Sequence, residues 1–370
     1  MSFFGNQSNW QLRSLKEIAT LKRGYDLPTK LRTAGNVPIY AANGQNGSHN
    51  EAKIKGPGVI TGRSGTIGKV HYTSTDYWPL NTSLYVTNFH GNDPKWVFYM
   101  LKAFQLERFV EGAGVPTLNR NLVHDELIPL PPLDEQKRIA AILDKADATR
   151  RKRQQAIQLA DDFLRSVFLD MFGDPVTNPK GWEVKKFGEV GTLDRGKSKH
   201  RPRNDPKLLG GEHPLIQTGD VAKSGGYITS YSATYSDFGL AQSKKWKAGT
   251  LCITIAANIA KTGILTFEAC FPDSVVGFKP NQLVTTEYVQ TWLSFLQKIL
   301  EANAPESAQK NINLAILRDL DIPLPPIEQQ IRFTNTVEKI NELKRKLNNS
   351  SKLNKDGFNS LSQKAFAGQL

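Results

Sequence analysis

The chain has 370 residues, of which 39% are apolar and 22% charged, and its formal net charge is +13. This length allows two or three domains with cores of their own, in a composition ordinary for a soluble globular protein. No apolar run reaches the ~20 residues of a membrane span, and the initial stretch MSFFGNQSNW lacks the pattern of a secretory signal. We therefore expect a cytoplasmic protein without a membrane partner, whose basic surface attracts a polyanion such as nucleic acid.

An internal repeat begins near the start of the chain. The stretch WQLRSLKEIATLKRG at residues 10–24 returns as WEVKKFGEVGTLDRG at 182–196, with Trp, Glu, Thr-Leu and Arg-Gly in register. Further along, VPIY at 37–40 corresponds to HPLI at 213–216. Self-similarity over this distance predicts two units of similar fold.

A proline-rich joint follows each unit. It reads IPLPPLDEQKRI at residues 128–139 and IPLPPIEQQIRF at 322–333. Proline fixes φ and holds the preceding residue in an extended conformation, so each joint should leave its unit as a stiff, extended connection. The acidic residues Asp134, Glu135 and Glu328 then fall in a first helical turn, where negative charge suits the helix dipole.

The segments after the joints have the pattern of long helices. Apolar and small residues recur at steps of three and four around a polar centre, which predicts one coiled-coil helix in each copy. The first should stop at Gly173, with Pro175 beyond it. In the second, poor helix formers at 348–351 and at Gly357 leave an interruption open. The stripe consists of Ile139, Ile142, Ala146, Ala156, Ala160, Phe163, Val167 and Met171 in the first helix and Val337, Ile340, Leu347, Phe358, Leu361 and Ala365 in the second.

The length of these helices restricts the architecture. About 39 residues make a rod of roughly 58 Å, and a rod with a single apolar stripe needs a partner. The nearest candidate is the other long helix, packed in the opposite sense. We therefore predict an α+β chain in which two pseudo-symmetric, mixed α/β units are separated by two long antiparallel coiled-coil helices.

These features together resemble one known family. Two divergent basic regions, each followed by PLPP, an EQ pair and a long helix, one closing in DMFGDP and the other in KAFAGQL, are similar to the DNA-specificity (S) subunits of type I restriction-modification systems. The resemblance implies a non-catalytic subunit that reads a bipartite site on double-stranded DNA. It also implies two methyltransferase (M) subunits and the restriction and translocase (R) subunits as partners. S-adenosylmethionine is then expected on the M subunits, and this chain should hold no cofactor itself.

The resemblance also supplies domain bounds. It implies a first target recognition domain at residues 1–132 and a central conserved spacer helix at 133–173. A second target recognition domain is expected at 174–326, followed by a C-terminal conserved spacer helix at 327–370. At 370 residues the chain is short for this family, which leaves open a trimmed first domain.

Residue chemistry alone ranks the DNA contacts. Arginine and asparagine can pair bidentately with base edges, whereas lysines and glycine-flanked turns more often contact phosphate. In the first domain we predict contacts by Lys22, Arg23, Asn43, Gln45, Asn46, Arg63, Ser64 and Lys69. In the second we predict Lys197, Lys199, Arg201, Arg203, Asn204, Lys223, Lys244, Lys245 and Lys261. A solvated charge is the alternative for each residue, and the basic run at 150–153 is either a solvated helix face or a contact with spacer phosphates.

Two stretches imitate catalytic motifs without completing them. GRSGTIGK at 62–69 has Arg63 where a Walker loop needs its first glycine, and Val70 where it needs Ser or Thr. We interpret it as a turn between strands that faces DNA phosphate, with an ordinary solvated turn as the alternative. PDSVVGFK at 272–279 mimics a nuclease signature, but Gly277 replaces the required carboxylate.

Metal and redox chemistry are not expected. The six histidines show no ligand spacing, and Cys252 and Cys270 are too few for a disulfide framework and fit no zinc pattern. We expect two buried thiols, no metal and no catalytic residues. Three hypotheses follow: a DNA-specificity subunit, an enzyme in its own right, and a coiled-coil scaffold or stand-alone DNA-binding adaptor without restriction partners.

Overall fold

The structure is a computed structural model that describes residues 2–111, 114–256, 259–302 and 312–370, with the backbone alone at 302 and 348–356. It divides into two compact units. The first comprises Met1–Gln155 with Leu347–Leu370, and the second is Ala156–Lys346. The division passes through both long helices, so each unit contains one end of each.

Before the first long helix, the described residues form short strands and short helices. The strands are β1 (Gln11–Ser14), β2 (Thr20–Arg23), β3 (Val37–Ala41), β4 (Gly44–His49), β5 (Gly58–Gly62), β6 (Val70–Thr73), β7 (Trp78–Pro79), β8 (Ser83–Asn88), β9 (Val110–Glu111), β10 (Thr117–Leu118) and β11 (Leu127–Leu130). The helices are α1 (Leu15–Ile18), α2 (Pro94–Ala103), α3 (Arg120–His124) and the long α4 (Leu133–Phe172).

The rest of the chain repeats this plan. Its strands are β12 (Glu183–Lys186), β13 (Gly191–Arg195), β14 (Leu209–Leu215), β15 (Tyr227–Ile228), β16 (Ala233–Tyr235), β17 (Lys245–Trp246), β18 (Leu251–Thr254), β19 (Thr262–Leu265), β20 (Ala269–Cys270), β21 (Val275–Pro280) and β22 (Asp321–Leu324). Its helices are α5 (Thr218–Lys223), α6 (Asp237–Ala241), α7 (Thr286–Ala302), α8 (Leu314–Arg318) and the long α9 (Ile327–Phe366).

The main sheets of the two units have matching strand orders. The first is β2-β8-β5-β6, and the second is β13-β21-β18-β19 extended by β15. A smaller sheet accompanies each, β4-β3-β7 in the first unit and β16-β14-β20-β17 in the second. In both smaller sheets one pair is parallel, β3 with β7 and β14 with β20. The internal repeat of the sequence is therefore a repeat of topology.

The core of each unit lies between its main sheet and its helices. In the first, Asp93 precedes α2, and its side chain caps the helix by accepting from the Trp96 amide at 2.8 Å. Trp96 and Phe104 of this region are fully buried. In the second, Phe187 and Trp292 are fully buried, with ring centroids 5.1 Å apart. Each of these large aromatic side chains removes a large apolar area from water.

Each joint closes its unit by strand pairing. β1 pairs antiparallel with β11 in the first unit, and β12 pairs with β22 in the second, over four residues each. The entry and exit of each globular part are therefore hydrogen-bonded side by side. The extended geometry predicted for the prolines is confirmed by these strands.

Each joint contains a buried glutamine. In the first unit Gln136 Oε1 accepts from the Asp93 amide at 2.9 Å, and Gln136 Nε2 donates to the Pro131 carbonyl at 3.0 Å. In the second unit Gln330 Oε1 accepts from the Thr285 amide at 3.0 Å. Its Nε2 donates to the carbonyl of the corresponding proline at 2.9 Å. The joint thus ties each long helix to the start of the helix that covers the sheet.

Within each unit the segments of α4 and α9 run antiparallel. In the first, Arg138 Nη1 donates to the Leu370 carbonyl at 3.4 Å, and the Arg150 guanidinium lies 6.0 Å from the Phe358 ring. In the second, the Phe168 and Phe333 rings are 5.5 Å apart. There the nearly buried Lys344 also pairs with Asp161 of α4 at 2.5 Å.

The predicted fold class is confirmed, but the predicted apolar stripe of α4 is wrong at Phe163, which is 50% exposed, whereas Phe168 on the same helix is fully buried. The chain combines two mixed α/β units with two long helices, and α9 is continuous through the poor helix formers at 348–351 and Gly357. Cys252 and Cys270 are both buried free thiols, and burial raises the pKa of each. Among the described residues, no helix is long and apolar enough to cross a membrane.

Candidate nucleic-acid interface

The candidate residues of the first unit gather at one end of its main sheet. The pairings Arg23 with Leu84, Leu84 with Thr61 and Thr61 with Val70 form one row across the four strands. At this row β2 and β5 end while β6 and β8 begin. Arg23 and the loop 63–69 therefore leave the sheet at the same end, and exposed Lys22 lies next to them on β2.

The loop 63–69 is held by its own backbone. The amides of Arg63 and Ser64 donate to the Thr82 carbonyl at 2.9 and 3.2 Å, and Thr61 Oγ1 donates to the Lys69 carbonyl at 3.0 Å. The half-buried Arg63 side chain also donates from Nη1 to a carbonyl of the β7–β8 turn at 3.3 Å. Lys69 is exposed. The predicted turn between strands is confirmed, and its fixed backbone presents Lys69 to solvent.

The β3–β4 hairpin adds the remaining candidates of the first unit. Asn43, Gln45 and Asn46 are exposed along it. A Cβ added at Gly62, the last residue of β5, would lie 3.2 Å from the Ala42 carbonyl oxygen, so the hairpin tip touches the same sheet end. All eight predicted contacts of this unit are thus grouped in space.

A cavity of about 430 Å³ lies beneath this hairpin, within the first unit. Its walls come from β3, β4, β6, α2 and α4, and they include Gln45 and His71. Burial, together with the charges of Lys69 and Lys102, lowers the pKa of His71 below its ordinary value. This histidine is therefore a neutral ring near neutral pH, and the candidate charges lie on the lysines and arginines around it.

The second unit repeats the arrangement. Arg195, Val276, Ile253 and Thr262 form the equivalent row across β13, β21, β18 and β19. Lys197 follows β13 and Lys261 precedes β19, so both leave the sheet at the same end. Thr254 Oγ1 donates to the Lys261 carbonyl at 3.2 Å, as Thr61 does to Lys69.

The arginine-rich turn at 197–205 is held by side chains from outside it and by one pair within it. Gln242 Oε1 accepts from the amides of Lys199 and His200 at 2.6 and 3.1 Å. Ser243 Oγ donates to the Lys197 carbonyl at 2.9 Å. His200 Nε2 lies 2.8 Å from a carboxylate oxygen of Asp205. The turn is a defined scaffold, and Lys197, Lys199, Arg201, Arg203 and Asn204 are exposed on it.

The remaining lysines of the second unit differ in exposure and in their contacts with other side chains. Lys244 Nζ lies 3.9 Å from the Trp246 ring centroid and 3.6 Å from Asp194 of β13. Lys245 and Lys223 are exposed, whereas half-buried Lys261 donates from Nζ to a glutamine of α7 at 3.4 Å. Lys223 precedes a serine that donates to the Thr262 carbonyl, which places it beside the start of β19.

The basic run on α4 is largely paired within its own helix. Asp147, only 6% exposed, lies 2.8 Å from Arg150 Nη2 and 3.3 Å from Arg151 Nε. Lys102 of α2 reaches the same carboxylate at 3.3 Å. Burial would raise the pKa of Asp147, but the charge of Lys102 and the hydrogen bond from Arg150 outweigh it, and the pKa is lowered. This pairing favours a structural role for Arg150 and Arg151, while Lys152 is exposed.

Two sets of contacts near the candidate site are not predicted by the sequence patterns. The first set is made by Gln136 and Gln330, whose equal spacing after the prolines is a signal of a shared role. The second set is made by Asp273, which lies in the incomplete nuclease signature and contacts the arginine-rich turn. Within the described ranges, no cluster of His, Cys, Asp and Glu is arranged to hold a metal.

A family comparison agrees with this doubled arrangement. The model described as "Type I restriction modification DNA specificity domain" matches residues 7–159 and 179–354. The chain belongs to this family. Each match covers one globular part and most of the long helix that follows it. The predicted family is confirmed, and it consists of specificity subunits and not of catalytic ones.

Individual relatives are distant. The type I restriction enzyme EcoBI specificity subunit of Escherichia coli is 25% identical over 293 residues, which is 69% of this chain and 61% of that subunit. The chain thus spans less than two thirds of that relative. The crystal structure of the type I S subunit from M. genitalium superposes with a TM-score of 0.67 at 14% identity, over 99% of both chains. A chain from a study of complex assembly and conformational transition in the type I R-M system gives 0.52 at 18% identity, again over 99% of both. These structural likenesses show a shared fold.

Proposed function

We propose that the chain is the DNA sequence-specificity subunit of a type I restriction-modification complex, and that each unit reads one half of a bipartite duplex site. The observation that carries this proposal is the repeated sheet end. In both units exposed basic and amide side chains leave the same end of a topologically equivalent sheet, on loops with fixed backbones. Fixed loops present donors at little entropic cost, which suits recognition of base edges and phosphates.

The predicted residues divide into two roles. Lys22, Lys69, Lys197, Lys199, Lys223 and Lys245 are exposed ammonium groups suited to phosphate. Arg23, Arg201, Arg203, Asn43, Gln45, Asn46 and Asn204 carry planar groups suited to base edges. Arg63, Lys244 and Lys261 are half-buried with protein partners, and Ser64 is fixed in its loop, so these four help chiefly to shape the surface.

The long helices are the proposed docking elements for protein partners. On α4, Leu159 and Phe163 are 66% and 50% exposed although both are apolar and one helical turn apart. Exposed apolar side chains on a helix are typical of a protein interface. We assign them to two methyltransferase (M) subunits, which would hold S-adenosylmethionine, with the restriction (R) subunits joining that assembly in the cytoplasm. This chain would perform no chemistry itself.

Methylation mapping tests the proposal directly. The source strain is sequenced with the gene, without it, and after its restoration. The expected result is a bipartite methylated-adenine motif that disappears with the gene and returns with it. An unchanged methylome in the deletion strain would show that the chain does not specify methylation. Salt-independent binding of the purified chain to duplex DNA would also count against a reader that contacts phosphates.

A region exchange tests whether the two units read independently. Residues 1–127 end where β11 begins, so their replacement by the equivalent region of a related subunit preserves the joint. One half of the methylated motif should change, while the other half and the gap stay the same. In the matched control, the chain's own residues 1–127 are removed and reinserted by the same cloning steps. A motif altered in both halves would contradict independent reading.

A further inference from the structure

Asp273 has a place in the second unit that its incomplete nuclease motif does not explain. It lies in the loop between β20 and β21, two residues before β21 begins. The position where the nuclease signature needs a second carboxylate is Gly277, within β21. The carboxylate of Asp273 is instead directed at the arginine-rich turn.

Two arginines of that turn meet this one carboxylate. Arg203 Nη2 lies 2.6 Å from Asp273 Oδ1, and Arg201 Nη2 lies 3.8 Å from Oδ2. Arg201 is also held from behind, because its Nη1 donates to the Ser198 and His200 carbonyls at 2.6 and 2.8 Å. The side chains of Arg201 and Arg203 remain 54% and 48% exposed, so their other N–H groups face solvent.

Backbone contacts fix the loop against the turn. The Gly196 amide donates to the Val275 carbonyl at 2.9 Å. A Cβ added at Gly196 would lie 2.4 Å from the Pro272 carbonyl oxygen, so only glycine permits this approach. The start of the turn and the residue before Asp273 are therefore in direct contact, and the carboxylate is not on a free loop.

The first unit offers an internal comparison. Asn81 stands two residues before β8, as Asp273 does before β21, and the Gly24 amide donates to the Ser83 carbonyl in the same way. There the loop carries the amide, and Asn81 Nδ2 donates to the carboxylate of Asp26 in the turn. In both units the residue two positions before the strand thus holds the turn with its side chain. The carboxylate of this contact belongs to the loop in the second unit and to the turn in the first.

We propose that Asp273 is a positioning residue for base recognition by the second unit, and that it holds the Arg203 guanidinium so that its remaining N–H groups face a guanine edge. A guanidinium has five N–H donors, and the carboxylate engages only those at Nη2. The two acceptors of guanine in the major groove match a held arginine fork. The same carboxylate repels phosphate, so it disfavours non-cognate contacts at this turn. This inference rests on the proposed function.

The test is Asp273→Asn, which keeps the shape of the side chain and gives the loop the residue that the first unit has. Glu212→Gln, at an exposed position on β14, is the control for the lost charge. Binding of the 370-residue chain is measured by fluorescence anisotropy. One duplex carries the mapped site, and the other has its second half-site scrambled.

We expect opposite changes on the two duplexes. Asp273→Asn should weaken binding to the mapped site and strengthen binding to the scrambled one, each by about two- to fivefold, the range of an exposed ion pair. Asp273→Glu should restore much of the preference. Arg203→Lys should lose preference only at a guanine of the second half-site, because lysine has no planar fork.

Other outcomes overturn the inference in distinguishable ways. Equal strengthening on both duplexes, matching Glu212→Gln, would reduce Asp273 to a bulk charge. Equal weakening would make it a purely structural residue, and an unchanged preference would remove any role in recognition. A wild-type chain that does not prefer its mapped site would instead refute the proposed function itself.

Discussion

Gln136 and Gln330 make the same pair of hydrogen bonds in the two units, each four residues after the third proline of its joint. They are 2% and 0% exposed, so water cannot replace either partner. The sequence repeats the joint because each unit needs this connection between its exit strand, its long helix and the helix over its sheet. A buried amide satisfied at both ends fixes the direction in which the helix leaves the joint.

Replacing Gln136 by Ala should lower the free energy of unfolding of the first unit by about 1–3 kcal/mol, because a buried amide and a buried carbonyl lose their partners. Hydrogen exchange at the start of α2 should rise at the same time. Lys137→Ala, at the exposed neighbouring position, is the control and should leave both quantities nearly unchanged. Equal effects of the two substitutions would show that the hydrogen bonds of Gln136 contribute nothing specific.

Removing the charge of Lys69 should weaken DNA binding evenly across sequences. Lys69→Gln should reduce the slope of log affinity against log salt by about one, as expected for one lost phosphate contact. Lys261→Gln should have a smaller effect, because Lys261 is half-buried and donates to a glutamine of α7. Titrations at several salt concentrations measure both slopes. A loss of base preference without a change in slope would reassign Lys69 to base recognition.

The stability of the first unit should fall in mild acid because of His124. Its Nε2 accepts from the Leu21 amide at 2.9 Å, and burial, with Arg120 and Lys16 nearby, lowers its pKa. The unfolded chain therefore takes up a proton that the folded chain does not, as the pH falls through the ordinary value of 6.5. Proton uptake by the unfolded state alone lowers the free energy of unfolding.

His124→Gln keeps a hydrogen-bond acceptor without the titration, so it should flatten this pH dependence. Denaturant titrations between about pH 5 and 8, the range in which histidine changes charge, provide the measurement. Some dependence should persist, because burial and neighbouring lysines lower the pKa of His71 as well. A variant with the full wild-type slope would exclude His124 as its source.

Substitutions of two phenylalanines on α4 should have different effects, one on the stability of the chain and the other on its binding of partner subunits. Phe168 is fully buried and packs against four aromatic rings of the second unit, so Phe168→Ala should cost about 3–5 kcal/mol of stability. Phe163 is 50% exposed, and Phe163→Ala should leave folding intact while reducing co-purification with methyltransferase subunits. Thermal unfolding and pull-down of both variants are the measurements. Undiminished pull-down by Phe163→Ala would place the docking surface elsewhere.

The sequence predicted the parts of the fold that have local signals. Prolines, acidic first-turn residues and a three-four periodicity specify the joints and long helices without reference to distant residues. The strand order of the two sheets has no such signal, because pairs such as Arg23 with Leu84 join residues far apart in the chain. The internal repeat indicated that the units would match, but not which strands would be neighbours.

The candidate site divides in the same way. Charge and glycine content located Lys69 and the arginine-rich turn, since these are properties of short stretches. They did not show that Arg203 meets Asp273, which lies 70 residues further along the chain. Nor did they distinguish exposed Lys69 from half-buried Lys261, although the two occupy equivalent positions. The tertiary structure determines whether each charged side chain is exposed or paired with another residue of the chain.

The two cysteines have a practical consequence for measuring motion. Both thiols are buried, and their raised pKa values leave little thiolate for reaction with labelling reagents. Cysteines introduced at exposed positions such as Lys30 in the first unit and Lys247 in the second should therefore react selectively. A donor and acceptor dye at these positions would turn the otherwise wild-type chain into a gauge of how the distance between its units responds when duplex DNA is added.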